Sequence, residues 1–210
     1  MTAFADLIRA VAADVVAARD ELNRLDGAAG DGDLGITLAA GAEAIVAILP
    51  ELDPLALSAR LRRIGVELAR RVPSTSGTLI ASGFLAAGKA AATEEGSGLS
   101  DAELAARLLE SAQAAIAERG KAVPGDKTML DALDPAARAM REAAEARLAL
   151  EDGLRLAAAA AARGAEATAA MVPKHGRAAW LAERSAGHED AGARAIALFL
   201  ASIARATAVP

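Results

Sequence analysis

The 210-residue sequence contains no cysteine and only two histidines, His175 and His188. Without cysteine, the chain can form neither a disulfide framework nor a thiolate zinc site. Two histidines are also too few for an imidazole-rich metal centre. Any metal site is therefore expected to use oxygen ligands and to bind a hard cation.

Long apolar runs and a surplus of basic residues are missing as well. Asp6, Arg9 and Asp14 interrupt the N-terminal segment, which therefore lacks the unbroken apolar run of a secretory signal. The most apolar segment near the C-terminus, residues 195–204, is about half as long as a bilayer span requires. The formal net charge of −5 argues against nucleic-acid binding, which needs a basic face. We expect a cytoplasmic protein that binds neither membranes nor nucleic acid.

The alternating β-branched pattern of strands is absent, and helical periodicity covers nearly the whole chain. Apolar residues recur at three- and four-residue steps from Phe4 to Leu25, which predicts an N-terminal amphipathic helix. Asp53-Pro54 predicts a helix start, and Ser100 with Glu103 predicts a capping box. The expectation is an all-α protein of about eight helices with short connections, forming one domain over residues 1–210.

The first unusual loop reads LDGAAGDGDLG, residues 25–35, and contains Asp26, Asp31 and Asp33. Three carboxylates within eight residues repel one another unless a cation or hydrogen-bond donors lie between them, and the glycines let the backbone fold around such a centre. A solvated turn with aspartate and glycine as caps explains the same spacing. An EF-hand does not, because counting from Asp31 places Ile36 where glycine is required. The spacing alone leaves the cation site and the turn equally open.

A second loop places Ser74, Thr75, Ser76 and Gly77 directly before an apolar helix. Free backbone N–H groups and hydroxyls at a helix start can bind an anion such as phosphate. Capping of the helix without a ligand is the commoner use of such residues.

A third loop, RGKAVPGDKTMLDAL, follows the capped helix. Its glycines and proline predict a turn in which Asp126 or Thr128 caps the next helix and Lys127 is free to meet an anion. The same charges could form only a solvated rim.

A fourth segment, KHGRAAWLAERSAGHEDAGA, brings together Arg177, Arg184, His188 and Asp190 around Trp180. Arg177 could clamp a phosphate, and Trp180 is predicted to be a core residue. For His188, a structural hydrogen bond is favoured over a role as general base.

In their order and wording, these four loops resemble the L subunit of dihydroxyacetone kinase. The resemblance rests on LDGAAGDGDLG, STSG, RGKAVPGDKTMLDAL and GRAAWLAERSAGHEDAGA, and it extends over almost the whole chain. It implies an all-α barrel of eight antiparallel helices that holds a nucleotide at one end. It implies that Asp26, Asp31 and Asp33 bind two Mg²⁺ ions. The implied nucleotide-binding positions are Leu34, Gly35, Ile36, Thr37, Thr75, Ser76, Gly120, Met129, Arg177, Asp190, Ala191 and Gly192.

The resemblance also implies the reaction: transfer of a phosphoryl group from the bound nucleotide to the terminal hydroxyl of dihydroxyacetone or a related short ketose. In the family, a histidine of a separate K subunit or domain holds the ketone covalently, so this chain needs a K partner and supplies no catalytic residue itself. Either ATP exchanges as a substrate, or ADP stays bound and is rephosphorylated by a phosphotransferase-system subunit. A related sugar or ketose kinase, or a nucleotide-loaded module that binds a transcription regulator, are the alternatives.

Two positions depart from the family pattern. Leu34 stands where the family commonly has histidine after the third aspartate, and leucine cannot donate to a phosphate or ribose. Pro73-Ser74 stands where a glycine pair is common, which stiffens the loop and adds a hydroxyl. Metal binding is expected to survive both changes.

Overall fold

The computed structural model describes residues 4–180 and 182–208, without the side chains of residues 177, 178, 182 and 183. These residues form twelve α-helices and one 3-10 helix, with no strand among them. The 3-10 helix spans Thr168–Ala170. The α-helices are α1 Phe4–Ala17, α2 Arg19–Ala29, α3 Leu34–Ala47, α4 Leu49–Leu52, α5 Leu57–Arg71, α6 Thr75–Thr93, α7 Asp101–Gly120, α8 Leu130–Glu145, α9 Leu150–Ala167, α10 Gly176–Trp180, α11 Ala182–Ser185 and α12 Ala191–Thr207.

Eight of these helices form a closed ring. In the order α1, α3, α5, α6, α7, α8, α9 and α12, each packs against the next, and α12 packs against α1. These eight have 14 to 20 residues each, and short connections between neighbours give antiparallel packing. The predicted all-α barrel is confirmed. The predicted number of eight describes the ring, and the shorter α2, α4, α10 and α11 are additional.

The core depends on small side chains. Ala132, Ala136, Ala157 and Ala161 of α8 and α9 have no solvent exposure. At Gly164 a Cβ atom would lie 2.1 Å from the Asp131 carbonyl oxygen. The backbones of α8 and α9 therefore approach each other more closely than larger side chains would allow. A second apolar cluster fills the space between α4, α5 and α6.

The predicted helix boundaries have mixed outcomes. The capping box at α7 is confirmed, since Ser100 Oγ accepts from the Glu103 amide and Glu103 Oε2 accepts from the Ser100 amide. The helix start at Asp53-Pro54 is wrong, because Asp53 caps the C-terminus of α4. Leu52 is fully buried, and Arg60 donates to the carbonyls of Leu52 and Asp53 at 3.1 and 2.6 Å. These bonds satisfy the carbonyl groups that end α4, so the next helix begins only after the turn.

The N-terminal amphipathic pattern is divided between two helices. A break at Ala18 separates α1 from α2, while the apolar face continues through Val11, Leu22 and Leu25, which are buried. Both helices pack on α3, and α2 leads directly into the aspartate loop. Across residues 4–180 and 182–208, no helix combines the length and apolar character that a membrane span needs.

Candidate functional site

Four inter-helix connections meet at one end of the ring: α2 to α3, α5 to α6, α7 to α8, and α9 to α12. Direct contacts join the α9 to α12 connection to the first and third of these, and the α5 to α6 connection lines a cleft together with the end of α7. Arg184 donates to the Gly27 carbonyl at 3.3 Å, and Lys174 pairs with Asp126 at 2.8 Å. The four loops that stand out in the sequence therefore share one surface of the folded chain.

The aspartate loop brings its three carboxylates together. One oxygen from each of Asp26, Asp31 and Asp33 can be chosen such that all lie within 4.8 Å of one another. Asp26 Oδ2 accepts from the backbone N–H groups of Gly32 at 2.9 Å and Asp33 at 3.0 Å. Asp26 therefore closes the loop as well as contributing to the cluster.

Two glycines make this loop possible. A Cβ atom at Gly30 would lie 2.6 Å from Asp26 Oδ1, and Gly32 has φ of +77°, which L side chains rarely adopt. Asp31 and Asp33 are exposed, and Asp33 stands at the N-cap of α3 without a side-chain capping bond. Three converging carboxylates form the oxygen donor set that suits a hard cation such as Mg²⁺.

The first turn of α3 adjoins the carboxylates. A Cβ atom at Gly35 would lie 1.9 Å from the Arg19 carbonyl oxygen, so α2 and α3 touch through their backbones. The Ile36 amide donates to Asn23 Oδ1 at 3.1 Å, and the Ile36 side chain is 56% exposed. Thr37 is half-buried in the same turn. The sequence does not reveal that Asn23 binds the start of α3, because Asn23 resembles any other polar residue of an amphipathic helix.

The structure gives Leu34 a packing role. Its side chain is buried in a small apolar cluster with Leu25 and Ala191. The cluster joins the aspartate loop to the start of α12. Hydrophobic packing is therefore what Leu34 provides at this position.

The second and third loops share a cleft. Ser74 Oγ accepts from the Gly77 amide at 3.0 Å and caps α6, as the sequence predicts. Thr75 is exposed beside it, and Ser76 is half-buried. An open cleft of about 520 Å³ is lined by Ala69, Pro73, Ser74, Thr75, Thr78, Leu79, Arg119 and Gly120. Thr75 and Gly120, predicted from separate loops, thus face one space.

The third loop corrects the prediction for Lys127. This side chain is 4% exposed, and its Nζ donates to the carbonyls of Met171 at 3.2 Å and Ser185 at 2.8 Å. It is therefore not free to meet an anion, because the chain folds back over it. Burial lowers the pKa of the Lys127 ammonium, while Asp190 acts in the opposite direction.

The neighbouring acids also differ from expectation. Asp126 does not cap α8; its carboxylate binds Lys174 and His175, and these bonds together with that of the Val123 amide lower its pKa. Thr128 Oγ1 does accept from the Leu130 amide, at 3.2 Å. Asp131 was missed: it is buried and its carboxylate accepts from the amides of Gly125 and Thr128. An acid in the first turn of a helix is the signal that could have identified it.

The fourth segment ends in the turn Asp190 to Gly192. Asp190 Oδ1 accepts from the Ala193 amide at 2.7 Å and caps α12. Burial raises the pKa of Asp190 to about 6, with a further contribution from the nearby Asp131 carboxylate. A Cβ atom at Gly192 would lie 3.4 Å from Met129 Cβ. The two predicted nucleotide positions Met129 and Gly192 are therefore neighbours.

The remaining residues of this segment have separate outcomes. The side chain of Arg177 lies outside the described residues, so its predicted phosphate contact stays a prediction. Trp180 is 90% exposed, and the prediction that it is a core residue is wrong. The sequence pattern could not show this, because α10 spans only five residues and gives no helical periodicity from which to tell a buried face from an exposed one. His188 is exposed, and His175 is the histidine that forms a structural bond.

Comparison with known proteins agrees with this arrangement. The profile of the DAK2 domain matches residues 28–205. The chain is 34% identical over 185 residues to the ADP-binding subunit DhaL of the PEP-dependent dihydroxyacetone kinase of Escherichia coli, covering 88% of this chain and 87% of that protein.

Longer relatives match over part of their length. The L-erythrulose kinase of Pectobacterium atrosepticum is 35% identical, with 92% of this chain and 34% of that protein covered. The crystal structure of the dihydroxyacetone kinase from C. freundii in complex with AMP-PNP and Mg²⁺ matches with a TM-score of 0.74 and 30% identity, covering 96% of this chain and 33% of that one. The chain thus spans about a third of these two relatives. From its sequence, its helical ring and its loop cluster, the chain belongs to the DAK2 domain family.

Proposed function

We propose that the chain is the nucleotide-binding L subunit of a dihydroxyacetone kinase and binds ADP or ATP together with two Mg²⁺ ions. The observation that carries this proposal is the convergence of Asp26, Asp31 and Asp33 at the ring end that also holds the Thr75 and Gly120 cleft. The family membership supports it, since the E. coli relative is an ADP-binding subunit.

The carboxylates of Asp26, Asp31 and Asp33 would hold the cations. Bound Mg²⁺ neutralises phosphate charge and orients the phosphates for transfer. The chain supplies the geometry: Asp26 fixes the loop by accepting from the backbone amides of Gly32, Asp33 and Leu34. Asp31 and Asp33 are exposed residues at the head of α3. Repulsion among the three carboxylates is the cost that a cation would remove.

The nucleotide would extend from the metal loop across the same end of the ring. Positions 34–37 adjoin the carboxylates, Thr75 and Ser76 lie at the capped start of α6, and Gly120 lines the open cleft. Met129 and the Asp190 to Gly192 turn border the site on the α8 and α12 side. The positive end of the α6 dipole, together with the hydroxyls of Thr75 and Ser76 in the first turn of that helix, favours phosphate there.

Phosphoryl transfer would move the terminal phosphoryl group from the nucleotide to a terminal hydroxyl oxygen of the ketose, which loses its proton. The ketone would be held by a K subunit, so the catalytic groups acting on it belong to that partner. This chain would contribute positioning and charge neutralisation, which are the main requirements of the reaction. Following the name of the E. coli relative, a phosphoenolpyruvate-dependent phosphotransferase subunit is the proposed source of the phosphoryl group.

A four-carbon ketose is the second candidate for the acceptor. The identity to L-erythrulose kinase, 35%, equals that to the E. coli dihydroxyacetone kinase subunit within one per cent. Sequence similarity therefore does not separate the two acceptors.

Nucleotide binding can be tested first on the chain alone. Calorimetric titration with ADP and ATP, with Mg²⁺ or with EDTA, should show binding only with the metal, and the bound form should melt at a higher temperature because the ligand binds the folded state. Absence of binding with Mg²⁺ present would refute the proposal.

The phosphoryl donor and acceptor need a second experiment. The ADP-loaded protein would be mixed with a K subunit, dihydroxyacetone or erythrulose, and either Mg-ATP or a phosphotransferase donor with phosphoenolpyruvate. Phosphorus NMR identifies the product. Rephosphorylation of bound ADP without nucleotide exchange would eliminate ATP as the exchanging substrate.

A further inference from the structure

Asp126 and Lys127 are adjacent buried charges in the α7 to α8 connection, and the proposed nucleotide site does not use either. Asp126 is 5% exposed and Lys127 is 4% exposed. Buried charges are rare unless they are paired and hydrogen-bonded. Both side chains find their partners in the connection between α9 and α12, more than 40 residues further along the chain.

Asp126 holds the first part of that connection. Its Oδ1 lies 2.8 Å from Lys174 Nζ, and its Oδ2 lies 2.8 Å from His175 Nε2. Its backbone carbonyl also accepts from the Lys174 amide at 3.1 Å. Residues 174 and 175 are therefore fixed to the α7 to α8 connection by backbone and side-chain bonds together.

Lys127 joins both flanks of α10 and α11. Its Nζ donates to the Met171 carbonyl, which precedes α10, and to the Ser185 carbonyl, which ends α11. Lys127 has φ of +59°, a conformation that lysine rarely adopts. One ammonium group thus bridges the backbone carbonyls of residues 171 and 185, which are 14 residues apart in the sequence.

The bridge leads directly to the proposed nucleotide site. After Ser185, the chain is held to the 3-10 helix by the Gly187 amide on the Ala169 carbonyl and by the Asp190 amide on Thr168 Oγ1. The Asp190 to Gly192 turn follows, and Gly192 lies against Met129, two residues after Lys127. Lys127 therefore links the α7 to α8 connection, which leads to Met129, with the α9 to α12 connection, which leads to Gly192.

We propose that Lys127 is a positioning residue of the nucleotide site: it fixes the α9 to α12 connection so that the Asp190 to Gly192 turn and Met129 face one nucleotide, without touching that nucleotide itself. The inference rests on the proposed function. If Lys127 instead bound a phosphate directly, its removal would lower the affinity for ATP more than the affinity for ADP.

The chain offers a matched control, Lys121. It lies in the same connection and also has a left-handed backbone, with φ of +51°, but it is exposed. Lys121→Met and Lys127→Met therefore make the same chemical change in similar backbone conformations, and only the second removes the buried bridge. Trp180, the single tryptophan, lies in α10 between the two bridged positions and reports on this segment by its fluorescence.

The experiment measures the affinity of the full chain for Mg-ADP and Mg-ATP by calorimetry, together with Trp180 emission and acrylamide quenching. Lys127→Met should weaken both nucleotides by the same factor, about tenfold or more, and should alter the Trp180 signal. Lys121→Met should change neither. Lys127→Arg, which keeps the charge and the donors, should recover most of the affinity and the original Trp180 signal.

Two results would overturn the inference. One is unchanged affinity in Lys127→Met; the other is a loss much larger for ATP than for ADP, which would indicate direct phosphate binding. If Lys127→Met does not fold, Lys127→Gln, which keeps N–H donors on a shorter and uncharged side chain, is judged by the ratio of its two affinity losses: a loss much larger for ATP than for ADP overturns the inference. Failure of the unaltered chain to bind either nucleotide would refute the proposed function and this inference together, whereas normal binding by the variant refutes the inference alone.

Discussion

The backbone N–H of Asp33 donates to the Oδ2 atom of Asp26 at 3.0 Å, so two members of the carboxylate cluster are tied to each other through the loop backbone. Asp26 therefore has a structural role in closing the loop, whereas the side chains of Asp31 and Asp33 are exposed. The three aspartates should respond differently to substitution.

Asp31→Asn and Asp33→Asn should each abolish Mg²⁺-dependent nucleotide retention while leaving the helix content nearly intact. The effect of Asp33→Asn on the free energy of unfolding should stay within about 0.5 kcal/mol, as for other surface substitutions. Asp26→Ala should also destabilise the ligand-free chain by about 1–3 kcal/mol, because it leaves the Gly32 and Asp33 amides without their acceptor. Circular dichroism, urea unfolding and calorimetry measure these effects. Normal Mg²⁺ dependence in both asparagine variants would show that the metal assignment is wrong.

Gly35→Ala tests the contact between α2 and α3. The new Cβ would lie 1.9 Å from the Arg19 carbonyl oxygen, so the two helices must separate. We expect the free energy of unfolding to fall by about 1–3 kcal/mol. Mg²⁺ binding should also weaken, because Asp33 is the N-cap of the displaced helix α3.

Gly41→Ala in α3 is the control for that substitution. Its Cβ would meet side-chain atoms of Leu68 at 3.0 Å and Val72 at 3.1 Å, which can adjust. Alanine also favours helix over glycine by about 1 kcal/mol, so the net change should be small. Equal stability of the two variants in thermal unfolding would contradict the close backbone contact.

Asp190→Asn should change the pH dependence of stability. Burial raises the pKa of Asp190 from its ordinary 3.8 to about 6, so between these values the folded state binds more protons than the unfolded state. The free energy of unfolding contributed by this group therefore falls as the pH rises from about 4 to about 6, and the loss persists above pH 6. Asparagine keeps a side-chain oxygen for the Ala193 amide but has no charge to bury.

The comparison is made by urea unfolding in EDTA at pH 4.5 and at pH 7.5. Relative to the unaltered chain, the asparagine variant should gain stability at the higher pH, by at most about 3 kcal/mol. A stability difference that is the same at both pH values would show that Asp190 does not titrate in this window.

Leu34→Ala should lower stability and nucleotide affinity together. Leu34 is 6% exposed and packs with Leu25 and Ala191, so truncation leaves a cavity that costs about 2–4 kcal/mol. Because Ala191 belongs to the proposed nucleotide turn, loosening the cluster should weaken binding. Ile36→Ala, at a position 56% exposed, is the control and should cost less than about 1 kcal/mol. If the two variants unfold at the same denaturant concentration, the packing role of Leu34 is wrong.

The fold was largely predictable from local pattern. Apolar spacing and the Ser100 to Glu103 capping box depend on neighbours within one or two turns, which the sequence displays directly. The wrong helix start at Asp53-Pro54 shows the limit of this approach. Two carbonyl groups there accept from the Arg60 side chain, and such a contact is not visible in the sequence around the proline.

The site residues divide in the same way. Asp26, Asp31 and Asp33 are close in the chain, so their proximity in space was a reasonable expectation, and the structure confirms it. Lys127 and Trp180 were misjudged because their environments depend on residues far along the chain. The carbonyls of Met171 and Ser185 bury Lys127, and α10 leaves Trp180 at the surface.

The sequence by itself determined an all-α chain, the family to which it belongs, and the four loops that carry unusual residues. Only the tertiary structure decided which of these residues meet: Thr75 with Gly120 at one cleft, Met129 with Gly192, and Leu34 with Ala191. The physical reason is that helix formation and capping are local, whereas burial and the partner of each buried charge follow from how the ring of helices closes.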